Sequence, residues 1–251
     1  MMSKLFEHIT SCFGKPIQNE LYPKDTRVSW IADVGINGMS SENVRWVINE
    51  IVRYVSGLSL VSEIKAFFVE VGSYQGCSLL SAVHKNQPPY GNCSFLAIDD
   101  FSEFGDNQKI LEENIKKYTV DNGTVQFLRG DYKTVIPEYF KMFYDDTGKV
   151  ILKTVDVYLY DGNHSYQEQL TGLNIIRPYL SPKCVIIVDD AAWPDPHRAN
   201  MDWLKENPDF NSILISHYTP EEWEAANEEE KIAMVNHPTW WNGIRLFSRG
   251  F

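Results

Sequence analysis

The chain has 251 residues, 43% of them hydrophobic, which is enough for one α/β domain with a sizeable core or at most two small ones. Its formal net charge is −11, from 34 acidic and 23 basic side chains, with no concentrated basic patch. A surface this negative repels phosphate backbones, so we expect no nucleic-acid partner. The N-terminus lacks a signal-peptide core and no apolar run approaches the roughly 18–20 residues of a membrane span, so no membrane partner is expected either.

The four cysteines, at positions 12, 77, 93 and 184, show no CxxC spacing, and three of them lie in predicted buried elements. This pattern is typical of reduced core residues and differs from that of a disulfide framework or a zinc site. We therefore expect a cytoplasmic protein.

An N-terminal helical cap, residues 1–60, is predicted to pack on the rest of the chain. Within it, residues 41–56 carry apolar side chains at helical spacing, with Ser40 or Ser41 as the N-cap. Residues 21–38 show no clear period. They form either a lid over the strand ends or a segment that simply packs.

In the remaining domain, residues 61–251, strand-like and helix-like patterns alternate from about residue 66 onward. Strands are predicted at residues 66–71, 94–98, 124–128, 155–160, 185–188, 212–216 and 243–248. Helices are predicted at residues 77–85, 108–118, 134–143 and 166–179, with an acidic, solvated helical insertion at 220–241. The alternation predicts a doubly wound, Rossmann-like α/β fold with a seven-stranded, mostly parallel sheet. The last strand needs no helix immediately before it and is therefore predicted to be antiparallel.

A strand that runs into a glycine turn and then a helix is predicted from V-E-V-G-S-Y-Q-G-C-S at residues 69–78. Gly72 lets the backbone turn tightly and approach a ligand, and Gly76 relieves crowding at the helix start. Glu70, at the strand end, is placed to accept hydrogen bonds from a ribose or an amine. The spacing E-x-G-x-x-x-G lacks the third glycine of the dinucleotide fingerprint, so a plain structural turn is the alternative.

Aspartates also follow the second and third predicted strands. Asp99 lies roughly twenty residues after the glycine motif, where a carboxylate in a nucleoside-binding sheet holds the two ribose hydroxyls. Asp100 is the competing assignment, and the pair otherwise only begins a loop. Asp131, in the turn R-G-D-Y, is placed beside an adenine or caps the next helix, and these two roles do not exclude each other.

Three carboxylates follow two apolar runs that predict buried parallel strands: Asp161 after the first run, and Asp189 and Asp190 after the second. Because ligands bind at the carboxyl ends of such strands, we expect these side chains to converge. Convergent carboxylates repel one another unless a cation lies between them, and oxygen ligands without cysteine favour Mg²⁺ or Mn²⁺ over Zn²⁺. The alternative is that Asp161 caps the helix that begins near Ser165.

His164, three residues after Asp161, is the predicted general base, since an unperturbed pKa of about 6.5 lets a histidine take a hydroxyl proton near neutral pH. The alternatives are a hydrogen-bond partner for the carboxylates or a cover over a bound ligand. His197, on a predicted loop after the aspartate pair, is either a second candidate base or a surface residue. Tyr166 is expected to be a core residue.

Five motifs of the chain resemble, in the same order, those of class I S-adenosylmethionine-dependent methyltransferases. They are V-E-V-G-S-Y-Q-G-C-S, I-D-D, R-G-D-Y, Y-D-G-N-H-S-Y and V-D-D. The branch they resemble is that of the metal-dependent sugar O-methyltransferases of macrolide and aminocoumarin biosynthesis. The likeness covers roughly residues 66–192, and its specific part is D-G-x-H-x-Y followed by an Asp-Asp pair on the next strand. Tyr74 departs from the pattern, because many methyltransferases have a second glycine there.

The resemblance implies that S-adenosylmethionine is the cofactor and that Mg²⁺ or Mn²⁺ is bound. Its cofactor-binding positions correspond to Glu70, Gly72, Ser73, Tyr74, Gly76, Ser78, Asp99, Asp131 and Asp161. Its metal-binding positions correspond to Asp161, Asp189 and Asp190, and its catalytic positions to His164 and Asp161. The implied activity is O-methyl transfer to a hydroxyl of a sugar or polyol-type small molecule.

Three other functions share these features. A nicotinamide-dependent oxidoreductase would need a fuller glycine motif and a hydride-transfer site. A nucleoside-binding protein without turnover keeps the fold, and a metal-independent transferase would use the aspartates structurally. Trp30, Trp193, Trp240 and Trp241 are candidates for stacking on a sugar ring or are structural. No pattern specifies the acceptor or decides whether the chain forms a homo-oligomer.

Overall fold

The computed structural model describes residues 4–13, 28–59, 65–120, 123–141, 154–235 and 237–251. Its strands are β1 Ala66–Val71, β2 Cys93–Asp99, β3 Val125–Arg129, β4 Val155–Tyr160, β5 Leu180–Val188, β6 Asn211–Ile215 and β7 Ile244–Arg249. Its helices are α1 Lys4–Phe13, α2 Trp30–Asp33, α3 Glu42–Ser59, α4 Cys77–Val83, α5 Gln108–Tyr118, α6 Tyr132–Lys141, α7 Tyr166–Ile176, α8 Pro194–Glu206, α9 Pro220–Ala225 and α10 Glu228–Met234.

The seven strands form one sheet in the order β3-β2-β1-β4-β5-β7-β6. Neighbouring strands are parallel from β3 to β5, whereas β7 is antiparallel to both β5 and β6. This confirms the predicted doubly wound fold with an antiparallel last strand. The strand order reverses between β1 and β4, and open α/β sheets bind ligands at such a point, outside the carboxyl ends of the strands.

The two faces of the sheet carry separate apolar layers, because successive side chains of a strand point in opposite directions. Phe68 and Leu159 face the layer built with α3 and α4, whereas Val69 and Tyr158 face the layer built with α6, α7 and α8. All six residues of β1 are buried. Coverage on both faces explains why the strands read as nearly continuous apolar runs.

The N-terminal helices pack on the first of these layers. Ser41 Oγ accepts a hydrogen bond from the Val44 amide at 3.2 Å, which selects Ser41 as the N-cap of α3. The described part of the aperiodic segment packs as well, because Ile31 and Ile36 join an apolar cluster with α4. Residues 21–27 of the predicted lid lie outside the described residues, as does the predicted domain boundary at residues 60–61.

Most predicted elements have bounds within one or two residues of those in the structure, and the larger differences are in α8, the acidic insertion and β5. Residues 194–206 form a helix, whereas a loop is predicted at residues 193–198. The first position of this helix is a proline, a residue favoured there because its missing N–H costs no helical hydrogen bond. The acidic insertion contains two short helices, α9 and α10, each opened by its own capping box. Strand β5 begins at Leu180, five residues before the predicted start, because its first part already pairs with β4.

Two expectations from composition concern the described residues. The three cysteines whose side chains are described, Cys77, Cys93 and Cys184, are buried and unpaired. Within the same ranges, no helix is long and apolar enough to cross a bilayer.

Candidate functional site

A cavity of about 1400 Å³ opens at the carboxyl ends of β1, β2, β4 and β5. One part, here called the glycine-turn end, is lined by Gly72, Tyr74, residues 98–105 and residues 130–133. The other, the carboxylate end, is lined by residues 161–165, 189–190 and 193–196 with Trp223, Trp241 and Asn242. The structure therefore brings the glycine motif and the three aspartates to one cavity.

Gly72 joins the two ends of the cavity through its backbone. Its φ is +84°, and a Cβ at this position would lie 1.8 Å from the carbonyl oxygen of Asp161. The Asp161 amide in turn donates to the Val71 carbonyl at 2.9 Å, which extends the β1–β4 ladder by one residue. Only glycine permits both the left-handed backbone and this close approach.

Asp99 holds the glycine turn from the neighbouring strand. Its Oδ2 accepts hydrogen bonds from the amides of Ser73 at 2.8 Å and Tyr74 at 2.7 Å, and its Oδ1 accepts from the Phe101 amide at 2.7 Å. Asp100 is exposed, and hydrogen bonding to Ser102 lowers its pKa. Both carboxylates line the cavity, so the structure keeps both assignments for a ribose contact.

Glu70 lies behind the glycine turn. Its carboxyl is fully buried, Oε2 accepts from Ser73 Oγ at 2.8 Å, and Oε1 has no hydrogen-bond partner among the described residues. Burial raises its pKa to about 7, against the lowering effect of the Ser78 and Ser73 hydroxyls. Glu70, Ser73, Gly76 and Ser78 are not among the residues that line the cavity, whereas Gly72 and Tyr74 are.

Asp131 combines the two roles proposed for its position. Its Oδ1 accepts from the Lys133 amide at 2.9 Å, as an N-cap of α6 does, and the residue also lines the glycine-turn end. Lys133 Nζ lies 3.8 Å from Asp131 Oδ2 and 3.0 Å from Glu168 Oε2.

Asp161, Asp189 and Asp190 lie together at the carboxylate end. The last two are 6% and 7% exposed, whereas the Asp161 side chain keeps 29% exposure towards the cavity. Burial raises the pKa of all three carboxyls, and their mutual repulsion raises the pKa of Asp161 and Asp189 further. The Asn242 amide donates to Asp190 Oδ1 at 2.9 Å. This environment favours a cation between the carboxylates.

The oxygen chemistry of these side chains fits a hard divalent ion. However, within the described ranges no group of three or more histidine, cysteine, aspartate or glutamate side chains is arranged to hold a metal ion. The carboxylates are therefore neighbours, as predicted, without forming a coordination shell.

His164 lies against two of the aspartates. Its Nε2 is 3.4 Å from Asp190 Oδ2 and 3.8 Å from Asp161 Oδ1, and its ring meets Trp193 edge-on with centroids 6.0 Å apart. The cap of α7 is Ser165, whose Oγ accepts from the Glu168 amide, so the alternative that Asp161 caps this helix is wrong.

The second candidate base is outside the cavity. His197 lies in α8, where its Nδ1 is 3.1 Å from Nη2 of the buried Arg245, and it is not among the lining residues. Because a guanidinium only donates hydrogen bonds, this contact requires the Nδ1 lone pair of His197. Burial and the Arg245 charge both lower the pKa of His197.

The candidate tryptophans separate into two groups. Trp193 and Trp241 line the carboxylate end, whereas Trp240 is fully buried and Trp30 packs on His84 and Tyr118. Tyr166 is half-buried and donates to Asp202 at 3.1 Å, so its expected place in the core is wrong.

Trp223 and Asn242 also line the cavity, and sequence reasoning missed both. They come from the β6–β7 connection and the turn before β7, and no local motif marks them. Their place depends on the insertion of β7 between β5 and β6.

Comparisons with known proteins agree with this architecture. Residues 69–191 match a family model described as a methyltransferase domain. The O-methyltransferase from Bacillus cereus in complex with SAH is 13% identical, with a TM-score of 0.55 over 97% of this chain and 96% of that one. The O-methyltransferase NovP is 15% identical, with a TM-score of 0.54 over 90% and 98%. No curated protein matches the chain in sequence.

At these identities the solved structures are informative about the fold, and the family model about the motif region. The matched residues run from Val69, inside β1, to just beyond the end of β5, and thus include the glycine turn and all three aspartates. Residues 69–191 of the chain are therefore similar to a methyltransferase domain, and the whole chain shares its fold with solved O-methyltransferases.

Proposed function

We propose that the protein is an S-adenosylmethionine-dependent O-methyltransferase that acts on a hydroxyl of a sugar-like or other polyol small molecule with the help of a divalent metal. The observation that carries this proposal is the contact between Gly72 and the backbone of Asp161. It puts a nucleoside-type glycine turn beside three carboxylates and a histidine in one cavity. A methyl donor bound at the glycine turn would lie next to an acceptor bound at the carboxylates and the histidine.

The glycine-turn end is the proposed cofactor site. Gly72 and Tyr74 would face the cofactor directly, with Asp99 or Asp100 at the ribose and Asp131 near the adenine. Glu70, Ser73, Gly76 and Ser78 would act from behind, because their contacts hold the turn in shape. The negative charge around this end suits a sulfonium, which is a cation.

Asp161, Asp189 and Asp190 are the proposed metal-binding residues. Burial raises the pKa of all three carboxyls, and mutual repulsion raises the pKa of Asp161 and Asp189 further. A bound cation would therefore stabilise their ionised forms. Their oxygen atoms suit Mg²⁺ or Mn²⁺. Asn242 would support the site by holding Asp190. When bound, such an ion lowers the pKa of an alcohol and orients it.

His164 is the proposed base. As the acceptor oxygen forms its bond to the methyl carbon, the carbon–sulfur bond breaks, the electron pair stays on sulfur, and the hydroxyl proton passes to His164. Asp161 and Asp190, at 3.8 and 3.4 Å from Nε2, would stabilise the resulting imidazolium. A positioned base of this kind contributes on the order of 10²–10⁴-fold to the rate.

Calorimetry tests the cofactor site, with S-adenosylhomocysteine titrated into the full-length protein with and without MgCl₂. A protein that binds no S-adenosylhomocysteine in either buffer would contradict the proposal. The base is tested by comparing His164→Gln with His197→Gln, using release of S-adenosylhomocysteine in the presence of glycosides and catechol. We expect a loss on the order of 10²-fold or more for the first variant only, with cofactor affinity unchanged.

One observation favours a second candidate, a metal-independent O-methyltransferase. Within the described ranges the three aspartates have no coordinating arrangement, and His164 already lies against two of them. In that case the carboxylates would only orient the His164 ring and stabilise its protonated form. Turnover that survives exhaustive chelation with EDTA would support this candidate, and loss of turnover that MgCl₂ restores would support the metal.

A further inference from the structure

The carboxylate end is strongly and one-sidedly charged. Four aspartates line it, Asp161, Asp189, Asp190 and Asp195, whereas no described lysine or arginine does. In the whole described lining there are nine carboxylates and one lysine, Lys133, which lies at the glycine-turn end 3.0 Å from Glu168. An anionic ligand would therefore find no described lysine or arginine to pair with at the carboxylate end.

Two cations that contact residues of this end are already paired with carboxylates. Arg198 Nη2 lies 3.0 Å from Asp195 Oδ1, and its guanidinium stacks over the ring of Tyr166 at 4.5 Å. Lys231 lies near Trp223, 5.9 Å from its ring centroid, and 3.4 Å from Glu228. Each of these cations is balanced by a carboxylate of its own.

The N-terminus of α8 also rejects anions, although a helix of thirteen residues commonly attracts them there. Positions 194 and 196 are prolines, which have no N–H to donate, and the residue between them is Asp195. The first turn of the helix therefore offers few donors and adds a negative charge at the cavity wall.

Aromatic rings supply the remaining recognition surface. Trp193, Trp223 and Trp241 line the carboxylate end. The negative face of an indole attracts the C–H groups of a sugar ring and attracts a cation more strongly. A divalent ion would cancel two of the three charges of Asp161, Asp189 and Asp190, and Arg198 offsets the charge of Asp195, so this end would still carry a net negative charge.

We propose that the accepting ring is neutral or cationic and carries no phosphate or carboxylate: it is a polyol or amino-substituted polyol, in contrast to a nucleotide sugar or an acyl-CoA. The inference rests on the proposed O-methyl transfer at this site and adds the charge class of its substrate.

Three glycosides that share one ring and one aglycone test the inference: phenyl β-D-glucoside, phenyl β-D-glucosaminide and phenyl β-D-glucuronide, which are neutral, cationic and anionic at about pH 6.5. Tryptophan fluorescence and saturation-transfer NMR would measure their binding to the full-length protein loaded with S-adenosylhomocysteine and MgCl₂. We expect the glucosaminide to bind most tightly. The dissociation constant of the glucuronide should be at least roughly tenfold higher than that of the glucoside, because of Coulomb repulsion at short range.

Asp195→Asn ties the effect to the cavity wall, because this residue is outside the proposed metal set. This substitution should lower the ratio of the glucuronide and glucoside dissociation constants by roughly two- to threefold. Asp202→Asn, on the same helix and outside this cavity, should leave the ratio unchanged.

Equal or tighter binding of the glucuronide would overturn the inference, as would no binding of the glucoside and glucosaminide to a protein that does bind S-adenosylhomocysteine. Failure to bind S-adenosylhomocysteine would instead contradict the proposed function.

Discussion

Gly72 and Asp161 touch through their backbones: a Cβ on Gly72 would lie 1.8 Å from the Asp161 carbonyl oxygen. This contact connects the end of β1 to the end of β4 at the point where the strand order reverses. Because the main chains themselves are in contact, the glycine turn and the first carboxylate are held at a constant separation.

Gly72→Ala should therefore damage both stability and the site. A methyl group cannot fit beside the Asp161 carbonyl, and φ of +84° adds strain for any L-residue, so we expect a loss of about 3 kcal/mol or more in the free energy of unfolding. Gly35→Ala is the matched control, because its φ is +76° and nothing lies within 4 Å of the added Cβ. Urea unfolding of both variants measures the difference. Equal losses would contradict the contact.

Glu70→Gln should change stability in a pH-dependent way. The folded pKa of about 7 exceeds the ordinary 4.5, so the folded state binds the proton more tightly than the unfolded chain and stability falls as the pH rises between these values. Glutamine cannot ionise, so at pH 8 the variant should be more stable than the wild type by up to about 3 kcal/mol, and at pH 4 nearly equal to it.

Urea unfolding at both pH values measures the effect of Glu70→Gln. Glu113→Gln serves as the control, since its carboxyl is exposed on α5. A constant difference between wild type and Glu70→Gln across this pH range would contradict the raised pKa.

Asp189→Asn should separate stability from metal binding. Without metal the variant should melt at a higher temperature than the wild type, because the change removes one of three neighbouring buried carboxylates. MgCl₂ at a hundred times its dissociation constant should stabilise the wild type by about 2.7 kcal/mol and the variant much less.

Thermal melts at pH 8 with EDTA or MgCl₂ test both parts of the Asp189 prediction. Asp33→Asn, an exposed aspartate of α2, should behave as the wild type in both buffers. An identical magnesium response of Asp189→Asn and wild type would exclude Asp189 as a ligand.

Asn242→Ala should lower both protein stability and magnesium affinity, although Asn242 is not one of the three aspartates. Asn242 is 2% exposed, and its amide donates to Asp190 Oδ1 at 2.9 Å, so its removal leaves a buried acceptor with one partner fewer. We expect a loss of about 1–3 kcal/mol in the free energy of unfolding, together with weaker magnesium binding by calorimetry. Asn174→Ala, exposed on α7, is the control and should change neither.

Much of the fold could be predicted from the chain alone because the strands are short, apolar and bounded by polar turns. Strands β1 and β4 begin and end where the pattern placed them, and helix α5 does too. Helix α8 was missed, because Pro194 and Pro196 read as a loop when considered without their neighbours. As a result His197 was expected on a loop, whereas it contacts the buried Arg245.

The carboxylates and His164 could be predicted from sequence because they directly follow strands whose direction a parallel sheet determines. Their local order along the chain is therefore a guide to their position. Glu70 was harder: its position at the end of β1 was clear, but only packing decided that its carboxyl points behind the glycine turn.

The sequence by itself determined which residue types stand at the carboxyl ends of β1, β2, β4 and β5, since periodicity and turn chemistry act over a few residues. Only the tertiary structure decided what else meets them. Asn242, Trp223 and Trp241 reach the cavity because β7 inserts antiparallel beside β5 and carries its preceding connection over the strand ends. That contact depends on strand order and long-range packing, which leave no local mark on the chain.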